Sequence, residues 1–261
     1  MVPGLIGLGG MGTLNVVFWD VDGTLADTEM DGHRPAFNLA FRELGLPLQW
    51  NPEEYARRLE IPGGLRRVRR ACEDIGLAIS DDQLQQLREV KRRHYTAMVN
   101  AGNVGWRPGV IRLLNALQQE GIQNWIVTSS GRASVEALLN ADNGTIPAFD
   151  GVVTADDVVQ GKPDPELYQL AMMRAGVKAE NALAIEDSLA GLQSARAAGL
   201  GCVLTPSPWE TELTSHFNDA VSVVNQLGEP GDPSTVIHGP ACEDGMVTVK
   251  YLQVLLSRET R

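Results

Sequence analysis

The apolar run Val16-Val17-Phe18-Trp19 ends abruptly at Asp20-Val21-Asp22-Gly23-Thr24, and no other stretch constrains the chain as much. A hydrophobic run that stops at two carboxylates reads as a buried strand carrying acids to the edge of a sheet. Two acids one residue apart cannot both be core residues, and if they share a site they repel unless a cation joins them. A Mg²⁺ ion beside a phosphate resolves that repulsion. The spacing also separates roles: one carboxylate can attack as a nucleophile while the other handles protons on the leaving and incoming oxygens. The pentapeptide alone also fits a plain strand end followed by an Asp-Gly turn.

Further apolar runs end in polar residues that suit the first reading. Asn124-Trp125-Ile126-Val127 ends at Thr128-Ser129-Ser130, and Ala182-Leu183-Ala184-Ile185 ends at Glu186-Asp187-Ser188, with Gly161-Lys162-Pro163-Asp164-Pro165 between them. Taken singly, Thr-Ser-Ser fits a helix N-cap and Glu-Asp a solvated loop pair. Taken together, they aim two carboxylate pairs and a hydroxyl cluster at one crevice, where open parallel sheets collect ligands. From Pro108 onward, helix and strand patterns alternate at short spacing, as in an α/β doubly wound parallel sheet. Helices are expected over 108–120, 132–141, 165–175 and 188–198, and strands at Gly201-Cys202-Val203-Leu204 and Val221-Ser222-Val223-Val224.

Residues 34–104 differ in character: they are charged and helical in period, with Phe37, Ala40, Phe41 and Leu44 on one face. Ser80-Asp81-Asp82-Gln83 reads as a capping box opening a helix through Met98. The expected organisation is a leader over 1–13, a core of 14–33 and 105–228, a helical insert over 34–104, and a C-terminal extension over 229–261. The extension follows the breaker-rich Gly228-Glu229-Pro230-Gly231-Asp232-Pro233 and carries an apolar stripe that should pack on the core: Val247, Val249, Tyr251, Leu252, Leu255 and Leu256.

A net charge of −11 on 261 residues argues against a nucleic-acid or anionic-membrane partner and makes each site cation more informative. Cys72, Cys202 and Cys242 are widely spaced, which suggests a reducing compartment and no structural zinc. No apolar run approaches ~20 residues and no signal or transit pattern is visible, so a cytoplasmic protein without a membrane span is expected. Gly7-Leu8-Gly9-Gly10-Met11-Gly12 matches a dinucleotide-binding pattern, but no strand precedes it and a strand follows it, so a flexible leader is the better reading.

In order, Asp20-Val21-Asp22-Gly23-Thr24, Thr128, Lys162 and Glu186-Asp187 resemble the four motifs of the haloacid dehalogenase-like phosphatase superfamily, over residues 14–227. Asp27-Thr28-Glu29 with Gly161-Lys162-Pro163-Asp164-Pro165 and Glu186-Asp187-Ser188 is similar to its β-phosphoglucomutase-like branch. Asp31-Gly32-His33-Arg34, Ala36-Phe37-Asn38, Gly63-Gly64 and Gly228-Glu229-Pro230 resemble the CbbY-type proteins within that branch.

The resemblance implies a core with an inserted α-helical cap and a Mg²⁺-dependent phosphatase acting through an aspartyl-phosphate, with xylulose-1,5-bisphosphate as the substrate. It implies Asp20 as nucleophile and Asp22 as acid and base. Mg²⁺ would be held by Asp20, by Asp22 through its carbonyl, and by Asp187, with Glu186 close or through water. Lys162 would screen the acids and meet a phosphate oxygen. Thr128, Ser129 and Ser130 would donate to the phosphate, near a helix N-terminus. Glu29, His33, Arg34 and Arg67 are the candidates for the substrate's remote end, a small-molecule sugar phosphate; a monomer is expected. Gly63-Gly64-Leu65-Arg66-Arg67 departs from the family's Gly-Gly-Lys-Glu-Arg, because Leu65 stands where a cation would be. A phosphomutase using the same intermediate and a non-catalytic phosphosugar-binding protein remain as alternatives.

Overall fold

The computed structural model describes residues 13–61, 63–141, 144–207 and 212–259. The glycine-rich leader lies outside them except for Thr13. The chain opens with β1 (Val16–Trp19), then runs through α1 (Arg34–Glu43), α2 (Pro52–Arg58), α3 (Gly64–Asp74) and α4 (Asp81–Asn100). It continues with α5 (Val110–Gln119), β2 (Gln123–Val127), α6 (Arg132–Ala141), β3 (Gly151–Val153), α7 (Glu166–Ala175) and β4 (Ala182–Glu186). The last part holds α8 (Leu189–Ala197), β5 (Gly201–Leu204), β6 (Ser222–Val224), β7 (Val236–His238) and α9 (Val249–Glu259).

The strands form one sheet in the order β3-β2-β1-β4-β5-β6-β7. All pairings are parallel except β6 with β7. Strand order reverses at β1, which pairs with β2 on one side and β4 on the other, and the crevice therefore opens at the carboxyl end of β1. Trp19 is in register with Ile126 and Ile185, so the residues that follow the three strands emerge side by side.

Alternation along β1 divides the core. Val17 and Trp19 face one buried cluster with Leu113, Leu117 and Leu252; Val16 and Phe18 face the other with Leu167 and Leu192. A third cluster belongs to the inserted helices. There Phe37, Phe41 and Tyr55 surround Trp50, with ring centroids 5.1, 4.8 and 5.4 Å from it. The expected apolar face of α1 is buried at Phe37, Ala40 and Phe41. The capping box forms: Ser80 Oγ accepts from Gln83 N at 3.2 Å, and Gln83 Oε1 accepts from Ser80 N at 2.9 Å. α4 runs two residues beyond the expected end, and its last turns bring Tyr95 and Val99 into the core cluster of β1. The insert is thus tied to the sheet by a continuous helix.

The helix expected over 108–120 starts at Val110 because Gly109 adopts φ 86°, and a Cβ there would lie 2.6 Å from Leu227 Cβ. Two strands not foreseen, β3 and β7, have three residues each, too few for an alternation signal. The breaker-rich segment after Leu227 turns the chain back, so β7 adds antiparallel to β6.

In α9, Leu252, Leu255 and Leu256 are at most 1% exposed whereas Val254 is 40% exposed. Leu252→Ala should lower the unfolding free energy by ~2–4 kcal/mol, and Val254→Ala by less than ~0.5 kcal/mol. Urea denaturation of the two variants measures this. Equal effects would mean that the C-terminal helix is not part of the core.

Candidate active site

Asp20 leaves the end of β1 with its N–H on Ile185 O at 3.0 Å, which fixes its backbone between β1 and β4. Its Oδ1 receives the Lys162 ammonium at 2.6 Å. Lys162 also meets Glu186 Oε1 at 2.6 Å and donates to Val127 O at 2.9 Å, so one cation ties the ends of β1, β2 and β4. Burial alone would lower the lysine's pKa; Asp20 and Glu186 outweigh it and hold it above the usual value. Tyr168, from the first turn of α7, donates its hydroxyl to Glu186, and its ring lies beneath the ammonium with the centroid 5.4 Å away.

Asp187 joins this group. One oxygen each from Asp20, Glu186 and Asp187 lies within 4.8 Å of the others, and all three residues are buried. Burial pushes Asp20 up to about 8, with Lys162 opposing and Glu186 and Asp22 adding to the rise. Burial, then Asp20 and Glu186, drive Asp187 well above the carboxylate range. Three buried carboxylates facing one ammonium are short of positive charge. Glu186 Oε2 is buried without a hydrogen-bond partner among the described residues. The set fits a hard divalent cation with oxygen ligands. Gly23, at φ 89°, lies so close to Asp187 that a Cβ would overlap its carboxylate, so the loop after β1 closes directly on the acid group.

Asp22 has different surroundings. Thr28 Oγ1 and Ser130 Oγ both donate to it, and His33 Nε2 lies 3.4 Å away. Burial works to raise its pKa, but these three neighbours outweigh it and hold Asp22 below the usual carboxylate range. Behind His33, Lys91 Nζ lies 2.9 Å from Nδ1. Burial pulls Lys91 down to about 8, against the pull of Glu29 and Asp22.

These groups line a cavity of about 390 Å³ between the sheet edge and the inserted helices. Asp20, Asp22, Thr128, Ser129, Ser130, Lys162 and Asp187 form its floor; Glu29, His33, Tyr55, Arg67 and Lys91 form its roof. Glu186 is wholly buried just below the floor. Thr128 Oγ1 accepts from Ser130 N at 3.0 Å, so that amide is already engaged. In the roof, Tyr55 donates to Glu29 at 2.5 Å, and Arg67 Nη1 reaches Tyr55 OH at 3.0 Å and Glu29 at 3.6 Å.

Arg34 does not follow the expectation. Its Nη1 donates to Trp50 O at 3.3 Å, which turns it toward the backbone of the inserted helices, and it is not among the cavity-lining residues. Leu65 packs against the third buried cluster instead of facing the cavity. The sequence reading missed Lys91, Tyr55, Thr28, Tyr168 and Arg107. Arg107 donates to Gly23 O and, at 2.7 Å, to Thr205 O, and so fastens the loop after β1 to the end of β5. Of these five, Thr28 alone had a signal, since it lies in Asp27-Thr28-Glu29 just after the first motif. The others sit in helical or linking stretches whose pattern carries no mark of chemistry.

The model of the haloacid dehalogenase-like hydrolases matches residues 14–199. Protein CbbY of Rhodobacter capsulatus is 40% identical over 199 residues, covering 75% of this chain and 87% of that protein. A plasmid-encoded CbbY of Cupriavidus necator is 35% identical over 228 residues, covering 84% and 88%. The crystal structure of a mutant CbbY from Rhodobacter sphaeroides in complex with xylulose-1,5-bisphosphate superposes with a TM-score of 0.73 at 32% identity, covering 82% of this chain and 95% of that one. Among the described residues, no helix is long and apolar enough to cross a membrane. With its acid cluster, its bridging lysine and these relatives, the chain belongs to the haloacid dehalogenase-like hydrolases, in their CbbY-type branch, and is an enzyme of the phosphatase class.

Proposed function

We propose that the chain is a Mg²⁺-dependent phosphatase that removes one phosphate from a small sugar bisphosphate, xylulose-1,5-bisphosphate, through an aspartyl-phosphate on Asp20. One observation carries the reading. The cavity has the Asp20–Lys162 pair on its floor and two further cations, Arg67 and Lys91, in its roof. A substrate with a phosphate at each end would meet a cation at both. The solved complex of the Rhodobacter sphaeroides relative with that bisphosphate supports the same choice.

In this reading Asp20 attacks phosphorus and the bond to the sugar oxygen breaks. Asp22, protonated at that point, passes its proton to the departing oxygen. Water then attacks the acyl phosphate, Asp22 takes its proton, and phosphate and free Asp20 result. The proton that Asp22 gains serves the next turnover, so the cycle balances. The three neighbours that hold Asp22 as a carboxylate favour the base step. Thr128 and Ser129 orient the transferring group, and Lys162 keeps its charge on the equatorial oxygens. Asp20, the Asp22 carbonyl, Asp187 and Glu186 would hold Mg²⁺, which neutralises charge on the transferring group when bound. The roof shields the acyl phosphate from bulk water until the alcohol has left.

Asp20→Asn should lower kcat at least ~10³-fold, because the variant loses the attacking charge and a metal ligand together. Phosphate release and trapping with fluoroberyllate measure this; a variant keeping most of its activity would remove the covalent step from the mechanism. Arg67→Ala and Lys91→Ala should each weaken bisphosphate turnover relative to monophosphate turnover by roughly ten- to a hundredfold, the cost of losing a charge-assisted hydrogen bond from a partly dry site. A panel of sugar mono- and bisphosphates reads this ratio. Equal losses on both classes would withdraw the bisphosphate assignment, and an isomeric sugar phosphate as product would show a mutase.

A further inference from the structure

We propose that Tyr168 is a positioning residue for phosphoryl transfer: its hydroxyl and ring hold the Glu186–Lys162 pair so that the ammonium stays on Asp20. This rests on the reading of Asp20 as nucleophile. Tyr168 is wholly buried and lies in the first turn of α7, six residues after Lys162. Its hydroxyl donates to Glu186 Oε1, the oxygen that also meets Lys162. Its ring stands edge-on to Phe18, two residues before Asp20, with centroids 6.1 Å apart. One side chain therefore contacts β1, the end of β4 and the lysine that joins them. Facing a carboxylate oxygen, which can only accept, the phenol is the donor of this contact.

The hydroxyl does what the ring cannot. Glu186 Oε1 receives both the phenol and the ammonium, whereas Oε2, which has no hydrogen-bond partner among the described residues, is left to the cation. Without the phenol, Glu186 is held through Lys162 alone among the contacts described, and it competes harder with Asp20 for the ammonium. A cation drawn off the nucleophile is misplaced for the charge that develops on the transferring group. A phenylalanine would fill the same space and keep the ring under the ammonium, so packing does not require the oxygen.

The test is Tyr168→Phe in the full chain. Turnover of the best sugar phosphate should fall ~five- to twentyfold in kcat, with KM within about twofold. Calorimetric affinity for tetrafluoroaluminate with Mg²⁺, a mimic of the transferring group, should fall by a similar factor while inorganic phosphate binds as before. The thermal midpoint should stay within about 4 °C. In a Glu186→Gln background, Tyr168→Phe should add nothing, because the two act through one contact. Unchanged kcat and analogue affinity would overturn the proposal, as would fully additive losses in the double variant. A wild-type chain that neither releases phosphate nor binds the analogue would instead overturn the functional reading, and this proposal with it.

Discussion

Lys162, held between Asp20 and Glu186 at the end of the central strands, is the interaction on which the rest of the site depends. It lies where the strand order reverses, so the fold itself brings three strand ends to one point. Carboxylates gathered there would repel one another and be driven to their neutral forms by burial. One ammonium, with its third contact on Val127 O, keeps them together without filling the space in front of Asp20. A buried charge group of this kind is a poor source of stability, since desolvation takes back most of the Coulomb gain. Stability comes from the two apolar clusters on either face of the sheet, which leaves the charges free to be arranged for chemistry.

The inserted helices solve a separate problem. They have their own aromatic core around Trp50, yet α4 reaches into the main core through Tyr95 and Val99. The insert is therefore a body with its own packing and a firm attachment, which suits a roof that must lie at a fixed height above the floor. Its polar groups partly satisfy one another: Glu29 accepts from Tyr55 and pairs with Arg67. That pairing matches the arginine's charge, whereas Lys91 is the roof cation whose pKa burial lowers.

The floor of the cavity was legible in the sequence because its residues sit at the ends of apolar runs. An abrupt change from Val-Val-Phe-Trp to Asp-Val-Asp is a local signal, and parallel pairing turns a local signal repeated three times into one place in space. The sheet was legible for the same reason, except where β3 and β7 are too short to show a period. The roof was less so. Arg34, at the first linker, and Arg67, in the Gly63-Gly64 loop of the insert, were both candidates for the substrate's remote end, yet Arg34 turns to Trp50 O while Arg67 reaches Tyr55 and lines the cavity. Lys91 reads as one more charge on a polar helix until α4 is laid against α1. Tyr168 reads as core, and so it is; its hydroxyl gains significance only from Glu186, eighteen residues away in sequence.

The acidic balance of the chain gives this arrangement its consequence. With a net charge of −11, the protein repels an anionic substrate at a distance, but salt confines that repulsion to about 8 Å at physiological ionic strength. Within that range the cavity presents Lys162, Arg67 and Lys91 in partly dry surroundings, where each charge acts at a lower dielectric than at the surface. Many of the remaining arginines on the inserted helices are paired with surface carboxylates, as Arg58 is with Glu54 and Asp74, and Arg93 with Glu43. Arg93 and Glu43 are exposed and their pair is weak, whereas Arg58 is partly buried; in both cases a carboxylate outside the cavity matches the arginine's charge. The three cations of the cavity thus act over short range, and the charge of the molecule as a whole adds little beyond that distance.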